Sequence, residues 1–385
     1  MLGVEMTRYA PDCAATVVSL EPESKGQGSA LLALWLSPFL LKEGEPVPVS
    51  HSHYATSLEI ARIFLDLGYS IDVIDYLNGG FIPQKRYDFF ISFRTNFEKI
   101  GKRLNDDCIK VVQLDTAHWL FHNWASLSRG LRLQQRRGVT LKGMKTVDSN
   151  MAIEHADYAI IDGNSFAMDT YRYAQKPLFR IPVLTSVVYP WLQNRDFEVC
   201  RNSFLWLGSS GLVHKGLDLV LEAFAEMPNC HLYVCGPIHQ EEDFQKAYDK
   251  ELYQTVNIHT IGWVDISSPA FIEIMEKCVG LIFPSCSESQ AGSVLTCMHG
   301  GLIPIISYES DVEVDDFGLL LKECSIDEIK NCVGMLSSLP AEKLQRMSRK
   351  TWEFARQHYT REMFSEQYRK IVGNILEKRK NENNN

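Results

Sequence analysis

The stretch from residue 282 to residue 307 limits most strongly what this chain can fold into. It begins as an apolar strand, continues through a polar loop that contains Glu288, and turns at Gly292 into a short helix. The helix stops at Gly300 and Gly301, before a second apolar strand. Parallel strands need such a crossover connection, so the unit predicts a parallel sheet. Ligands of open parallel sheets bind where loops leave the carboxyl ends of strands, which is where Glu288 lies.

The same alternation of strands and helices continues through most of the chain. Apolar strand-like segments occupy residues 31–36, 71–75, 87–93, 111–114, 158–162, 178–181, 204–207, 231–235, 256–261, 280–283, 303–307 and 318–321. Helix-start signals between them are Thr56 with Glu59, Ser268 before Pro269, and Ser325 with Glu328. We therefore predict an α/β protein with two Rossmann-like doubly wound domains that face a cleft.

The strand pattern restarts after a proline-containing segment at 182–190, and this sets the predicted domain bounds. The first Rossmann-like domain is expected at residues 1–190 and the second at residues 191–355. A closing helix is expected at 356–377. The polar tail at 378–385 is predicted to be disordered.

Composition narrows the functional classes. The 385 residues carry a net charge of -9, which disfavours general binding to nucleic acid because phosphate neutralisation requires clustered Lys and Arg. The ten cysteines form no Cys-x-x-Cys pair and lie mostly in apolar segments, which indicates reduced core residues rather than disulfides or a metal site.

The amino terminus and the longest apolar run bear on location. Residues 1–27 lack the apolar core of a signal peptide, and the run at 30–41 is too short to span a bilayer. The predicted location is cytoplasmic, with peripheral contact at the inner membrane face as an alternative.

A glycine-rich loop at 208–216 opens the second domain. It follows a predicted strand and precedes a helix, so its backbone can approach an anion closely, and Lys215 supplies a positive charge. Taken alone, the loop is more typical of a solvated turn with a surface lysine. Together with the Glu288 loop, it suits a ligand with a diphosphate at one end and hydroxyl groups at the other.

With these two loops in view, the chain resembles the GT-B glycosyltransferases of the retaining, family 4 type (glycosyl transferases group 1). The matching residues are Gly208, Lys215, Gly216, Asp218, Ala223, Phe224, Cys235, Gly236, Pro237, Ile261, Gly262, Trp263, Val264, Pro284, Ser285, Glu288, Met298, Gly301 and Pro304. The resemblance covers residues 204–307 and extends to the closing helices. In the first domain it is weaker and rests on the order of strands and helices and on the helix at 57–67.

The resemblance implies transfer of a sugar from a nucleotide-diphosphate donor to a glycan, lipid-linked or other acceptor, with retention and without a metal or other cofactor. It assigns Lys215 to the leaving diphosphate and Glu288 to a hydroxyl of the donor sugar near the reacting carbon. The remaining donor-binding residues would be Gly208, Ser209, Ser210, Gly236, Ser289, Gln290, Ala291, Gly292, Ser293 and Thr296. For Glu288, a carboxylate that merely interacts with a helix dipole is the alternative.

The first domain would supply the acceptor side. His118 follows a predicted strand and resembles the family's histidine that faces the reacting sugar, so it is a candidate for contacting the donor or acceptor. A buried structural histidine is the alternative. His51, His53 and Tyr54 lie on the first exit loop and are candidates for acceptor binding, although a simple polar loop has the same pattern.

Two positions depart from the family pattern. Thr296 stands where the family has a second glutamate that binds the ribose, and Ser209 stands where it has an arginine. These departures leave open a degenerate protein that acts as a binding or scaffold subunit. A sugar-nucleotide epimerase of the same fold is a third reading, without recognisable acid and base residues.

A basic stretch lies at residues 129–145, downstream of Trp119, Phe121 and Trp124. Its charges are Arg129, Arg132, Arg136, Arg137, Lys142 and Lys145. The stretch has two interpretations. It could face a lipid-linked acceptor or membrane phosphates, or it could form a solvated helix face.

Overall fold

The computed structural model describes residues 16–23, 26–42, 44–49 and 51–383. The first sheet has seven strands in the order β1-β3-β2-β4-β5-β6-β7. Their bounds are β1 Val17–Leu20, β2 Gly28–Leu34, β3 Tyr69–Asp75, β4 Phe89–Phe93, β5 Ile109–Leu114, β6 Tyr158–Asp162 and β7 Leu178–Ile181. Only β1 runs antiparallel, against β3, and it is absent from the strands predicted from sequence. A strand of four half-exposed residues at a sheet edge carries a weak sequence signal.

The second sheet is parallel throughout, with six strands in the order β10-β9-β8-β11-β12-β13. Their bounds are β8 Ser203–Leu207, β9 His231–Cys235, β10 Ile258–Gly262, β11 Gly280–Phe283, β12 Ile303–Ser307 and β13 Leu319–Leu321. The strand order reverses between β8 and β11, which makes this point the topological switch of a doubly wound sheet. The prediction of two Rossmann-like α/β domains is confirmed.

Helices cover both faces of each sheet. They are α1 Ser52–Asp66, α2 Phe97–Gly101, α3 Trp119–Arg137, α4 Ala152–His155, α5 Ser165–Asp169, α6 Phe197–Cys200, α7 Leu217–Ala225, α8 Glu242–Ala247, α9 Asp249–Tyr253, α10 Pro269–Glu276, α11 Gly292–His299, α12 Ile326–Ser337, α13 Ala341–His358 and α14 Arg361–Asn383. Each sheet therefore has two apolar cores, one on each face. Strands buried on both faces explain the continuous apolar runs in the sequence.

Two of the predicted helix starts are confirmed and one is wrong. Ser268 and Ser325 cap α10 and α12, each accepting a hydrogen bond from a backbone N–H three residues later. The capping box predicted at Thr56 does not exist, because α1 begins at Ser52. Glu59 is instead fully buried and pairs with Arg361 at 2.7 Å.

Helix α14 returns from the second domain to the first. Its apolar face, which includes Phe364 and Tyr368, packs into the core beneath α1. The helix continues to Asn383, so the prediction of disorder is wrong for residues 378–383. The physical reason is that Lys378 lies over the ring of Tyr158, 5.6 Å from its centroid, and Arg379 donates to a backbone carbonyl of the first domain. The predicted domain bounds stay a prediction.

Along the described parts of the chain, every helix is too short or too polar to cross a membrane.

Candidate functional site

The candidate site lies at the switch point of the second sheet. The glycine loop at 208–216 leaves the carboxyl end of β8, and the loop at 284–291 leaves the carboxyl end of β11. Because β8 and β11 are neighbouring parallel strands, the two loops emerge side by side at one edge. The chain thus brings together two loops that lie far apart in sequence, in the crevice where ligands of such sheets bind.

An ion pair between Lys215 and Glu288 connects the two loops. Lys215 Nζ lies 2.7 Å from Glu288 Oε1, which also accepts a hydrogen bond from Ser285 Oγ at 2.9 Å. The two charged side chains are only 6% and 13% exposed. Burial acts to raise the pKa of Glu288, but the nearby charges of Lys215 and Lys145 outweigh it and hold the pKa far below its ordinary value. Glu288 is therefore an ionised carboxylate that can accept a hydroxyl hydrogen bond.

Two neutral histidines cover this pair. His214 Nε2 donates to the carbonyl of Ser287 at 2.6 Å and lies 4.0 Å from Glu288 Oε1. The ring of His122, on α3, lies against that of His214 with 4.6 Å between centroids. Burial lowers the pKa of His122 to about 4 and that of His214 well below its ordinary value. His122 Nε2 is buried and has no hydrogen-bond partner among the described residues, so it keeps capacity to bind a ligand.

The glycines of the first loop have a packing role. A Cβ at Gly208 would lie 2.4 Å from the ring of Trp206. Gly236, which follows β9, packs against this loop, and a Cβ there would lie 2.6 Å from the carbonyl oxygen of Gly208. The backbone N–H groups of Gly211 and Leu212 donate to the carboxylate of Glu241 rather than facing open space. Two of the backbone N–H groups that were expected to bind an anion are therefore already paired with a carboxylate of the protein.

The side chains of Ser209 and Ser210 are exposed at the start of the same loop. Ser209, in place of the family's arginine, contributes no positive charge there. On the second loop, Ser289 donates to the backbone carbonyl of Asp162, and the side chain of Gln290 accepts from Val183 N at 2.7 Å. These two side chains connect the domains, which leaves them less available to a donor than their positions in the sequence indicated.

Helix α11 begins directly after this loop. The side chain of Ala291 is buried in the core, while Gly292 and Ser293 form the first turn. N–H groups of a first turn have no partner within the helix, so they can bind an anion. One turn later, Thr296 is 8% exposed, and its hydroxyl donates to the carbonyl of Gly292 at 2.9 Å. Its proton is used within the helix, so towards a ribose Thr296 can act only as an acceptor.

His118 lies in the first domain, at the start of α3. Its Nδ1 accepts from Leu120 N, so Nε2 carries the proton and donates to the hydroxyl of Tyr173 at 3.0 Å. Tyr173 in turn donates to Glu154 at 2.6 Å. These residues line a cavity of about 520 Å³ with Trp119, Leu120, Phe121, Met151 and Thr170. The ring of His118 is thus held by Tyr173.

The three predicted acceptor residues lie at the switch point of the first sheet, between β2 and β4. They belong to an aromatic cluster that also includes Trp35 and Tyr76. These two residues were not predicted from the sequence. The rings of His51 and Tyr76 stack on Trp35 at centroid distances of 5.2 and 5.5 Å, and Tyr54 meets it edge-on at 5.1 Å. An aromatic residue at the carboxyl end of a predicted strand is the signal that could have found them, because Trp35 lies near the end of the segment at 31–36 and Tyr76 directly follows the segment at 71–75.

His53 belongs to the same cluster but faces inward. Its Nε2 lies 3.5 Å from Asp115 Oδ2, and Asp115 also pairs with Arg94. Burial lowers the pKa of His53 to about 4.

Most of the basic stretch contacts the second domain. Arg136 pairs with Asp218 at 2.7 Å and with Glu222 at 3.1 Å. Arg137 pairs with Glu251 at 2.7 Å, Arg129 is buried and donates to the carbonyl of Pro284, and Lys145 lies over the glycine loop. Arg132 and Lys142 are exposed. Both readings made from sequence, a membrane face and a solvated helix face, are therefore wrong for most of the stretch.

Within the described residues, no group of three or more His, Cys, Asp or Glu side chains is arranged to hold a metal ion.

Comparison with known proteins finds similarity in structure but no match at the level of sequence. No protein-family model and no curated protein matches the chain. Sucrose-phosphate synthase from Thermosynechococcus elongatus has a similar structure, with a TM-score of 0.65 over 92% of this chain and 99% of that one, at 13% identity. Anabaena HepE in complex with UDP and glucose gives a TM-score of 0.53 over 75% and 78% of the two chains, at 12% identity.

A mutant of S. aureus TarM in complex with UDP gives a TM-score of 0.53 at 13% identity, over 72% of this chain. The chain spans about half of TarM, 54% of its length. These structures are GT-B glycosyltransferases. This chain therefore has the GT-B fold that the sequence resemblance implies.

Proposed function

We propose that this protein is a glycosyltransferase that moves a sugar from a nucleoside-diphosphate donor to an acceptor. The observation that carries the proposal is the Lys215–Glu288 ion pair, with 2.7 Å between Nζ and Oε1, at the switch point of the second sheet. A buried cation beside a carboxylate suits a ligand with a diphosphate next to a sugar. The complexes of HepE and TarM with UDP, on the same fold, support this choice of donor.

The proposed roles follow from the charges. Lys215 and the first-turn N–H groups of Gly292 and Ser293 neutralise the negative charge that develops on the leaving diphosphate. As Lys215 turns to the phosphate, Glu288 becomes free to accept a hydroxyl of the donor sugar and to stabilise positive charge at the reacting carbon. Transfer without a metal ion and with retention, as the family resemblance implies, belongs to this proposal.

The acceptor is proposed to bind across the cleft, on the aromatic cluster of the first domain. Trp35, His51, Tyr54 and Tyr76 present ring faces and edges at the switch point of that sheet. Aromatic rings combine a large apolar contact area with polar tips, which suits the mixed surface of a sugar ring. This favours a glycan acceptor, with the cavity beside His118 available to a neighbouring apolar group.

The test is a donor screen with purified protein. UDP-, GDP- and ADP-sugars are incubated with the chain, and release of the nucleoside diphosphate is measured with and without oligosaccharide acceptors. We expect release from at least one donor, and a loss of about 100-fold or more in Glu288→Gln. Glu273→Gln, an exposed change on α10, is the matched control. Equal rates in both variants would exclude the role of Glu288.

A second candidate is a binding or scaffold subunit that holds a donor without turnover. It is favoured by the hydroxyl of Thr296, whose proton is donated to Gly292 O, and by Glu241, which occupies the N–H groups of Gly211 and Leu212. Calorimetry and turnover separate the candidates: binding of a nucleotide sugar with no release of its diphosphate, under any acceptor condition, supports the scaffold.

A further inference from the structure

Lys145 places a second ammonium group at the candidate site. It lies in the segment between α3 and α4, and its side chain covers Gly211 of the glycine loop. A Cβ at Gly211 would lie 2.7 Å from Lys145 Cδ, and Gly211 has a φ of +86°, in the region that favours glycine. The absence of a side chain at Gly211 therefore makes room for Lys145, which reaches the donor loop from the other domain.

The segment that carries Lys145 is held firmly to α3. Asn123 exchanges two hydrogen bonds with the backbone of Val147, at 2.9 and 2.8 Å. Helix α3 also carries His122, which contacts His214 beside Lys215. Lys145 is thus positioned by the same helix that lines the site from the first domain.

Lys145 has no ion-pair partner of its own among the described residues. Of the two carboxylates near it, Glu288 pairs with Lys215, and Glu241 accepts from the backbone N–H groups of Gly211 and Leu212. The histidines beside the two lysines, His122 and His214, are neutral. Burial, and then the charge of Lys215, lowers the pKa of Lys145 to about 8, while Glu288 and the Cys286 thiol act in the opposite direction. The site thus holds two ammonium groups of which only Lys215 has an ion-pair partner, so an anionic ligand can pair with Lys145.

We propose that Lys145 is an anion-binding residue that, together with Lys215, holds the diphosphate of the donor between the two domains. This inference rests on the proposed function and adds to its donor site a residue of the first domain. Two ammonium groups match two linked phosphates, so the site should favour nucleoside-diphosphate sugars over sugars carried on a single phosphate. Lys145 would supply the charge that Ser209 does not.

The experiment uses inorganic pyrophosphate as the probe, because it carries the two phosphates and no base. Its affinity for the full chain is measured by calorimetry for wild type, Lys145→Met, Lys145→Arg and Lys142→Met. Methionine keeps the apolar packing on Gly211, and Lys142 is an exposed lysine three residues away. We expect a loss of about tenfold or more in Lys145→Met, recovery in Lys145→Arg, and no change in Lys142→Met.

The pH dependence gives a readout that a purely structural role would not move. Wild-type affinity should weaken relative to Lys145→Arg as pH rises through about 8, because lysine loses its charge there and arginine does not. Ionisation of the ligand is common to both proteins and cancels. Inorganic phosphate should bind more weakly than pyrophosphate in wild type, and Lys145→Met should reduce that difference.

The outcomes separate this inference from the proposed function. Equal pyrophosphate affinity in wild type and Lys145→Met, with binding lost in Lys215→Met, overturns the role of Lys145 and leaves the donor site standing. Failure of wild type to bind pyrophosphate or any nucleoside diphosphate overturns both.

Discussion

Lys215 and Glu288 are separated by 73 residues, yet their side chains form an ion pair of 2.7 Å that joins the two loops at the switch point of the second sheet. The pair is almost fully enclosed, so each charge depends on the other for its stability. A ligand that separates them must replace the lost attraction with its own charge. This relationship connects the stability of the fold with the proposed chemistry.

The first prediction concerns the stability of that pair. Glu288→Gln leaves the ammonium group of Lys215 buried without its nearest counter-charge, so we expect a loss of about 2–4 kcal/mol in the free energy of unfolding at pH 7. Urea denaturation followed by fluorescence measures it. The exposed variant Glu273→Gln should stay within about 0.5 kcal/mol of wild type. A similar small effect for both changes would mean that the pair contributes little to folding.

The contribution of Glu288 to the free energy of unfolding should also depend on pH in the acid range. Because the pKa of Glu288 is lower in the folded state than its ordinary value of 4.5, its contribution is fully present above pH 4.5 and is lost as pH falls further. The stability difference between wild type and Glu288→Gln should therefore be constant between about pH 5 and 6, below the titration of Lys145, and shrink as pH falls below 4.5. A difference that grows below pH 4.5 would contradict this sign.

The interface between α3 and the second domain gives a second prediction, with its control on the same helix. Arg136→Ala removes the partner of Asp218, whose side chain is 0% exposed. An unpaired buried carboxylate should lower the free energy of unfolding by about 3 kcal/mol, whereas the exposed Arg132→Ala should change it by less than about 0.5 kcal/mol. Guanidinium denaturation of both variants compares them directly. Equal effects would show that the helix is held by apolar packing alone.

Asp162 should make the free energy of unfolding depend on pH with the opposite sign to that of Glu288. Burial raises the pKa of Asp162 from 3.8 to about 7. Between these values the folded state keeps a proton that the unfolded state loses, so the contribution of Asp162 to stability falls as pH rises from about 4 to 7 and is constant above. Asp162→Asn should lack this fall and gain on the order of 2 kcal/mol over wild type at pH 8.

The control for Asp162 is Asp106→Asn, an exposed change in the same domain, which should keep the wild-type profile. Burial also raises the pKa of Asp311 to about 7. Part of the fall in stability with rising pH should therefore remain in Asp162→Asn. A wild-type profile in Asp162→Asn would show that Asp162 is ionised in the fold.

Thr296 offers a test of the nucleoside side of the site. The family pattern has a glutamate there, and a carboxylate would form a charge-assisted hydrogen bond with a ribose hydroxyl. We expect Thr296→Glu to strengthen UDP binding by about tenfold and to leave pyrophosphate binding unchanged or slightly weaker. Calorimetry with both ligands separates the two effects. A gain for pyrophosphate, or none for UDP, would place the ribose elsewhere.

Local patterns in the sequence predicted the main elements of this fold. Buried parallel strands are continuous apolar runs, and the loops with Lys215 and Glu288 each follow such a run, so both could be recognised as candidate site loops. Their contact could be expected once the strands were taken as neighbours. The edge strand β1 and the early start of α1 were missed, because short edge strands and polar first turns carry little periodic signal.

Long-range pairing accounts for the larger errors. Thr56 and Glu59 have the spacing of a capping box, but Glu59 binds Arg361, which is 302 residues away. The arginines of α3 have the spacing of a solvated face, and only the folded structure shows the carboxylates that they meet. Lys145 was visible as one charge in a basic stretch. Its proximity to Lys215 depends on how the two domains face each other, which no local pattern reports.

The most direct test of the central claim is calorimetric titration of the full chain with UDP, GDP and ADP, in wild type and in Lys215→Met, with Lys142→Met as the control. The account predicts that wild type binds at least one nucleoside diphosphate, that Lys215→Met weakens it by about tenfold or more, and that Lys142→Met binds as wild type does. Absence of binding in wild type, or equal binding in wild type and Lys215→Met, would contradict it.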